Sequence, residues 1–254
     1  MRFGDGHEMR QAERERQLAA LRERIGGLAP EGADRPVLPF GVAPLDAHLP
    51  GGGLRLGAVH EVLAAGPVDG EGALAALFVA AILARLSGPV LWCLPGRDLF
   101  APGLAAVGLH PDRVLYAETR RETEVLPTME EGLRHRGLAA VVGETARLGL
   151  TPSRRLQLAA EGSGGLALVI RRLRDTVPEP NAAATRWGVT AAPSAALPVP
   201  GLSRARWTVA LLRARGAEPR TWLLEAPDAK GRLRVPAELA DRPVAAPARR
   251  AAAG

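Results

Sequence analysis

The sequence predicts an α/β chain built on a doubly wound, mostly parallel sheet with helices on both faces, led by a lone helix and closed by a β-hairpin. Three observations carry this. Short apolar runs alternate with helix-like segments from residue 57 to residue 172. Several of those runs, PVLWCL and LALVI among them, are continuously apolar, as strands are when helices cover both faces of a parallel sheet. Finally, RARWTVALLRARG and PRTWLLEAPD flank a short Gly-containing turn, with Trp207, Val209 and Leu211 alternating as in a hairpin. A chain of 254 residues suffices for one such core with tails left over.

The first segment, HEMRQAERERQLAALRERIGGL, is helix-like, with Leu18, Leu21 and Ile25 at spacings of three and four and Gly26–Gly27 as its stop. So narrow a stripe cannot form a core alone. Residues 1–28 therefore read as a docking helix, for this domain, a neighbouring copy or a partner, and the Pro- and Gly-rich residues 29–39 as a linker. The core domain, residues 40–242, then runs GAVHEVLA (strand), ALAALFVAAILARL (helix), GPVLWCLP (strand), FAPGLAAVGL (helix), VLYAE (strand), VLPTMEEGLRHR (helix), LAAVVGE (strand), SRRLQLAAEG (helix) and GLALVIRR (strand). Residues 175–203, Pro-rich and without sustained period, read as one long loop, functional or mobile, before the hairpin. The Ala/Pro/Arg-rich end, 243–254, reads as a disordered tail.

All 33 basic residues but Lys230 are arginine. They are unevenly placed: residues 1–146 hold 15 basic and 19 acidic groups, net −4, and residues 147–254 hold 18 and 8, net +10. A basic half suits nucleic acid or an acidic protein surface, or else decorates solvated faces. Cys93, the single cysteine, sits in an apolar strand, which excludes an internal disulfide and a Cys-rich metal site. His48, His60 and His135 are isolated, and no Ser, His and acid set forms a nucleophile motif. With neither a secretory pattern nor an apolar run of membrane-spanning length, the expected location is the cytoplasm and no membrane contact is expected.

The most specific stretch is FGVAPLDAHLPGGGLRLGAVHEVLAAG. Its Gly41, Leu45, Asp46, Gly52, Gly53, Leu54, Gly57 and Glu61 follow the pattern that precedes the phosphate loop of RecA-type proteins. With the leading helix, the order of strands and helices and the closing hairpin, residues 7–242 resemble the ImuA family, RecA-like proteins encoded beside the polymerase homologue ImuB in bacterial damage-inducible mutagenesis cassettes.

The resemblance implies a RecA-like fold and raises the question of a nucleotide site. Gly66, Asp69, Gly70, Glu71, Gly72 and Ala73 occupy the phosphate-loop place. They keep glycines but lack the lysine and hydroxyl of G-x-x-x-x-G-K-[ST], and Lys230 lies too far along the chain to supply the first. Asp69 and Glu71 would repel a triphosphate. Where the second nucleotide motif places its magnesium-holding aspartate stands Gly143, followed by Glu144, which strand alternation turns to the opposite face unless the strand bulges. Gly96 of PGRD stands where RecA carries its catalytic glutamate. Phosphoryl transfer depends on such positioning, so the chain is expected to be no enzyme, with no cofactor and no metal.

RecA places a DNA-binding loop after the strand matching GLALVIRR. Here that implies Arg171, Arg172, Arg174 and Arg186 as phosphate or partner contacts and Trp187 as a base-stacking ring. The function implied is that of a non-catalytic RecA-like accessory protein of SOS-inducible, error-prone translesion DNA synthesis, a mutasome component acting by protein contacts. Its implied partners are ImuB and, through ImuB, an error-prone replicative-type DNA polymerase and the sliding clamp, with RecA as a further contact. Two alternatives stand beside it: a RecA-type ATPase with an atypical phosphate loop, and a cell-division inhibitor of the SulA kind.

Overall fold

The computed structural model describes residues 36–64, 71–172, 179–195, 201 and 203–236. The expected docking helix with Leu18, Leu21 and Ile25, the loop positions Gly66, Asp69 and Gly70, Arg174 and the tail 243–254 lie outside the described residues.

The described chain opens with β1 (Val37–Leu38), passes through the short helix α1 (Ala43–Asp46) and a 3-10 turn at Pro50–Gly52, and returns as β2 (Leu54–Arg55), antiparallel to β1. The last residues of the expected linker are thus part of the fold. Next come β3 (Val59–Ala64), α2 (Glu71–Ala84), β4 (Val90–Leu94), α3 (Ala101–Ala106), β5 (Val114–Glu118), α4 (Val125–Leu133), β6 (Ala140–Thr145), α5 (Leu150–Ser163) and β7 (Leu166–Arg172), within a few residues of the predicted segments. The chain continues as β8 (Thr185–Ala192), β9 (Arg206–Ala214) and β10 (Arg220–Glu225). Strands β3 to β10 form one sheet, in the order β10-β9-β8-β3-β7-β6-β4-β5. Every pair from β8 to β5 is parallel, and the pairs made by β9 are antiparallel. This is the expected RecA-like architecture with its closing hairpin.

One face of the sheet is covered by α2 and α3, the other by α4 and α5. Helix α2 is apolar on all sides because it is enclosed. Phe78, Val79, Ile82 and Leu83 are fully buried, and the chain near Gly231 lies so close behind the helix that a Cβ there would stand 2.6 Å from the Ala81 carbonyl oxygen. On the other face Met129, Leu133, Leu156 and Ala160 pack against Val141, Ala167 and Val169.

The structure gives the signature residues of 40–61 structural work. Asp46 accepts the backbone N–H groups of Phe40 (2.6 Å) and Val42 (3.0 Å), closing the turn into α1. Gly53 passes so near β1 that a Cβ would lie 2.4 Å from the Leu38 carbonyl oxygen, which excludes any side chain. His60 is fully buried and joins strands: Trp187 Nε1–H donates to Thr185 Oγ1 (2.7 Å), whose hydroxyl donates to His60 Nδ1 (2.7 Å), while His60 Nε2–H donates to the Arg55 carbonyl (2.9 Å). That chain requires the neutral ring, and burial pushes its pKa down to about 4. Glu61, also fully buried, accepts from Arg171 Nη1 (3.0 Å), Arg186 Nε (2.6 Å) and Asn181 Nδ2 (2.9 Å), tying β3 to β7, β8 and the residues before β8.

The expected single loop over 175–203 is corrected. Within it Thr185–Ala192 forms β8, an interior strand paired to β3 on one side and β9 on the other. Its alternation, with Trp187 and Val189 buried in the core, is blurred by Gly188 and by flanking prolines that lend the segment a loop composition. The hairpin is as predicted, with Trp207, Val209 and Leu211 buried.

Candidate functional site

In an open α/β sheet, ligands meet the carboxyl ends of the parallel strands. Here that edge brings together the segments after β4, β5, β6 and β7 around a cleft of about 440 Å³ lined by Pro95, Glu122, Glu144, Thr145, Ala146, Arg147 and Arg172. Glu122 ties two of the segments: its Oε1 accepts from Thr145 Oγ1 (2.9 Å) and from the Ala146 backbone N–H (2.5 Å).

The cleft's central feature is an ion network. Arg172, at the end of β7, donates from Nη2 to Glu144 Oε2 at 2.5 Å and forms a second, two-pronged pair with Asp98 of the segment after β4. Glu144 is almost fully buried, and its Oε1 accepts from Trp92 Nε1 at 2.7 Å. Burial raises the pKa of Glu144, although Arg172 and the Trp92 bond oppose the shift. The hydrogen bond from Arg172 holds Asp98 below the usual carboxylate range, against its partial desolvation. For Arg172, burial opposes the charge, but the two carboxylates outweigh it and raise its pKa.

The facing of the β6 residues differs from the sequence-based expectation. Strand β6 pairs in regular register with both neighbours, so Val142 and Glu144 point to the α2 face, the face on which a phosphate loop would hand its ligand to α2. Gly143 points the other way, where a Cβ would lie 2.1 Å from Met129 Sδ. Glu144, not position 143, is the carboxylate of the cleft, and no bulge is needed to place it there. Arg172 lies beside the first turn of α2, its Nε 4.0 Å from where a Cβ on Gly72 would be. Ala73, in the same turn, offers no polar group.

Of the expected nucleic-acid contacts, the structure turns three inward. Trp187 is fully buried, so its ring is closed to a stacking base; Arg171 is 1% exposed and Arg186 12%, both held by Glu61. Sequence reasoning missed this because a buried carboxylate that can hold two arginines lies more than a hundred residues away. Of the described four Arg172 is the most accessible, at 41%, and it is engaged by Asp98 and Glu144. At the ends of β4 to β7, apart from the Arg171 held by Glu61, the five cations Arg97, Arg120, Arg121, Arg147 and Arg172 stand among the five acids Asp98, Glu118, Glu122, Glu124 and Glu144. Asp98 was not singled out in the sequence; its signal is its place two residues beyond Gly96, at the end of a parallel strand. Among the described residues no group of three or more His, Cys, Asp or Glu side chains is placed to hold a metal, and no helix is long and apolar enough to cross a membrane.

Comparison with known proteins adds the family. No protein-family model matches the chain. It is 39% identical over 227 residues to Protein ImuA of Caulobacter vibrioides (strain NA1000 / CB15N), a match covering 83% of this chain and 93% of that relative. The chain belongs to the ImuA family. Protein ImuA of a second strain of the same organism, ATCC 19089 / CIP 103742 / CB 15, matches to the same extent. At 93% of the relative's length, the ImuA likeness is to the whole protein and not to a shared module.

Proposed function

We propose that this ImuA-family chain is a non-catalytic, RecA-shaped component of error-prone translesion DNA synthesis in the ImuA/ImuB mutagenesis cassette, acting through protein contacts. ImuB is its direct partner in this reading. An error-prone replicative-type polymerase and the sliding clamp are reached through ImuB, and RecA is a further contact. The observation that carries the reading is the Arg172, Glu144 and Asp98 network. The one accessible arginine beside α2 is neutralised by two carboxylates of the chain itself, so a triphosphate entering the cleft would have to break two ion pairs and then face both acids. The absence of a phosphate-loop lysine from the sequence supports the same conclusion.

Thermal unfolding with millimolar Mg²⁺ and ATP, ADP or a non-hydrolysable analogue tests the first half. A ligand at 100 times its Kd stabilises a fold by about 2.7 kcal/mol, so a bound nucleotide would be plain. The expected result is no shift. Co-purification with ImuB tests the second half, and failure of the two full-length proteins to associate would refute it. A second reading, a nucleotide switch in which Arg172 leaves its carboxylates for a phosphate, draws on the closeness of Arg172 to Gly72; a clear nucleotide-dependent shift, lost in Arg172→Ala, would establish it instead.

A further inference from the structure

Helices α4 and α5 pack on β3, β4, β6 and β7 and stop short of β9 and β10. The outer face of the hairpin is therefore bare among the described residues, while its inner face carries the buried Trp207, Val209, Leu211, Trp222 and Leu224. Strand alternation places Thr208 and Leu212 of β9 beside Thr221 and Leu223 of β10 on that outer face, and Leu212 and Leu223 are 43% and 46% exposed. A sheet in an α/β fold ordinarily buries both faces, so an uncovered row of leucine and threonine is a surface that another chain can cover.

The charge around the patch identifies what covers it. At one end of the patch Arg206 lies opposite Glu225, and Arg204 pairs with the same Glu225 at 3.4 Å, so two arginines share one acid. An apolar centre with a basic rim matches a polypeptide that presents apolar side chains flanked by carboxylates. Nucleic acid fits less well: all four tryptophans are buried, and the centre of the patch offers phosphates no cation.

We propose that the outer face of β9 and β10, bounded by Arg204 and Arg206, is the docking surface for an acidic, amphipathic segment of a partner protein. This rests on the reading of the chain as a binding component, with full-length ImuB as the probe. Cys93 is buried and its thiol is pushed up to about 12, so in the full chain carrying Thr221→Cys the introduced thiol is the one that reacts with a maleimide. The expected result is rapid labelling in the free protein, protection when ImuB is bound, and a loss of ImuB affinity of about ten-fold or more in Arg204→Glu/Arg206→Glu, steeper at low salt. Leu223→Asp should weaken binding similarly, while unfolding midpoints stay near that of the parent because all three sites are exposed or rim positions. A thiol at 221 that is unreactive in the free chain would show that the chain itself or a second copy covers the face, and would overturn the proposal. A complex in which that thiol stays reactive, or which tolerates the charge reversals, overturns the surface but leaves the binding reading intact. Loss of oligonucleotide binding with unchanged ImuB binding in the reversal variant would overturn the choice of partner. No complex with the parent chain at all overturns both readings.

Discussion

Replacing Glu61 by alanine should cost this fold about 3–5 kcal/mol, and the structure says why. The carboxylate is fully buried and receives three hydrogen bonds, two of them from guanidinium groups. Arg171 is 1% exposed, and its Nε and Nη2 donate to the Ala146 carbonyl at 3.2 and 2.9 Å, so burial keeps water from replacing the lost oxygen. Arg186 is partly accessible and recovers some hydration. Removing one partner of a buried ion pair leaves an uncompensated charge, which is the origin of the 3–5 kcal/mol range, against a total of roughly 5–15 kcal/mol for a folded domain. Glu61→Gln should fare little better, because one amide –NH₂ then faces a guanidinium donor. Urea unfolding at pH 7 measures the loss as a shift in midpoint at constant slope. The reasoning also requires that Glu61→Met combined with Arg171→Met and Arg186→Met recovers much of the loss, since an apolar set has no charge left unpaired. A loss below about 1 kcal/mol in Glu61→Ala, or a triple variant weaker than the single one, would refute the account.

Three further outcomes are expected. His60, with a pKa near 4 in the fold against 6.5 unfolded, contributes stability that is complete above about pH 6.5 and is lost as pH falls toward 4, roughly 3 kcal/mol over that window; comparison of unfolding curves with those of His60→Gln isolates it. Gly143→Ala, and more so Gly143→Asp, should destabilise by about 1–3 kcal/mol or more by driving a Cβ into Met129, and the aspartate should produce no nucleotide-dependent thermal shift because it faces α4. Arg172→Ala leaves Glu144 buried with only its Trp92 bond, so the variant should lose about 1–3 kcal/mol at pH 7. Because the pKa of Glu144 then lies still further above its unfolded value, protonation favours the fold and the deficit should narrow on acidification. Chemical unfolding at several pH values reads that sign directly.

The strands and helices from 57 to 172 were legible because each is announced by an apolar run and bounded by Gly, Pro or a charge, and both hairpin strands because Trp207, Val209 and Leu211 alternate openly. Strand β8 was not. Its core residues Trp187 and Val189 are separated by a glycine and sit among prolines, so it becomes a strand only through its partners β3 and β9. The same limit governs the site. Sequence spacing located the end of β6, but a one-residue error in alignment to a motif inverts the face of a strand side chain, and only the neighbours Trp92 and Met129 decide it.

The arginines show the largest gap between composition and surface, and they connect the fold to its proposed role. In the second half of the chain a net +10 pointed to nucleic acid, an acidic protein surface or solvated faces. Yet Arg171 and Arg186 neutralise the buried Glu61, Arg172 is held by Asp98 and Glu144, and Arg213 donates to Asn181 and Ala183. These guanidiniums hold strands together, and a side chain so engaged must give up its internal partners before it can meet a phosphate. Among the arginines of that half not used in this way, Arg204 and Arg206 lie at the hairpin, next to its exposed leucines. In the function proposed here, a RecA-shaped domain whose cleft arginine is held by its own carboxylates and whose hairpin face is open recognises another protein in place of a nucleotide.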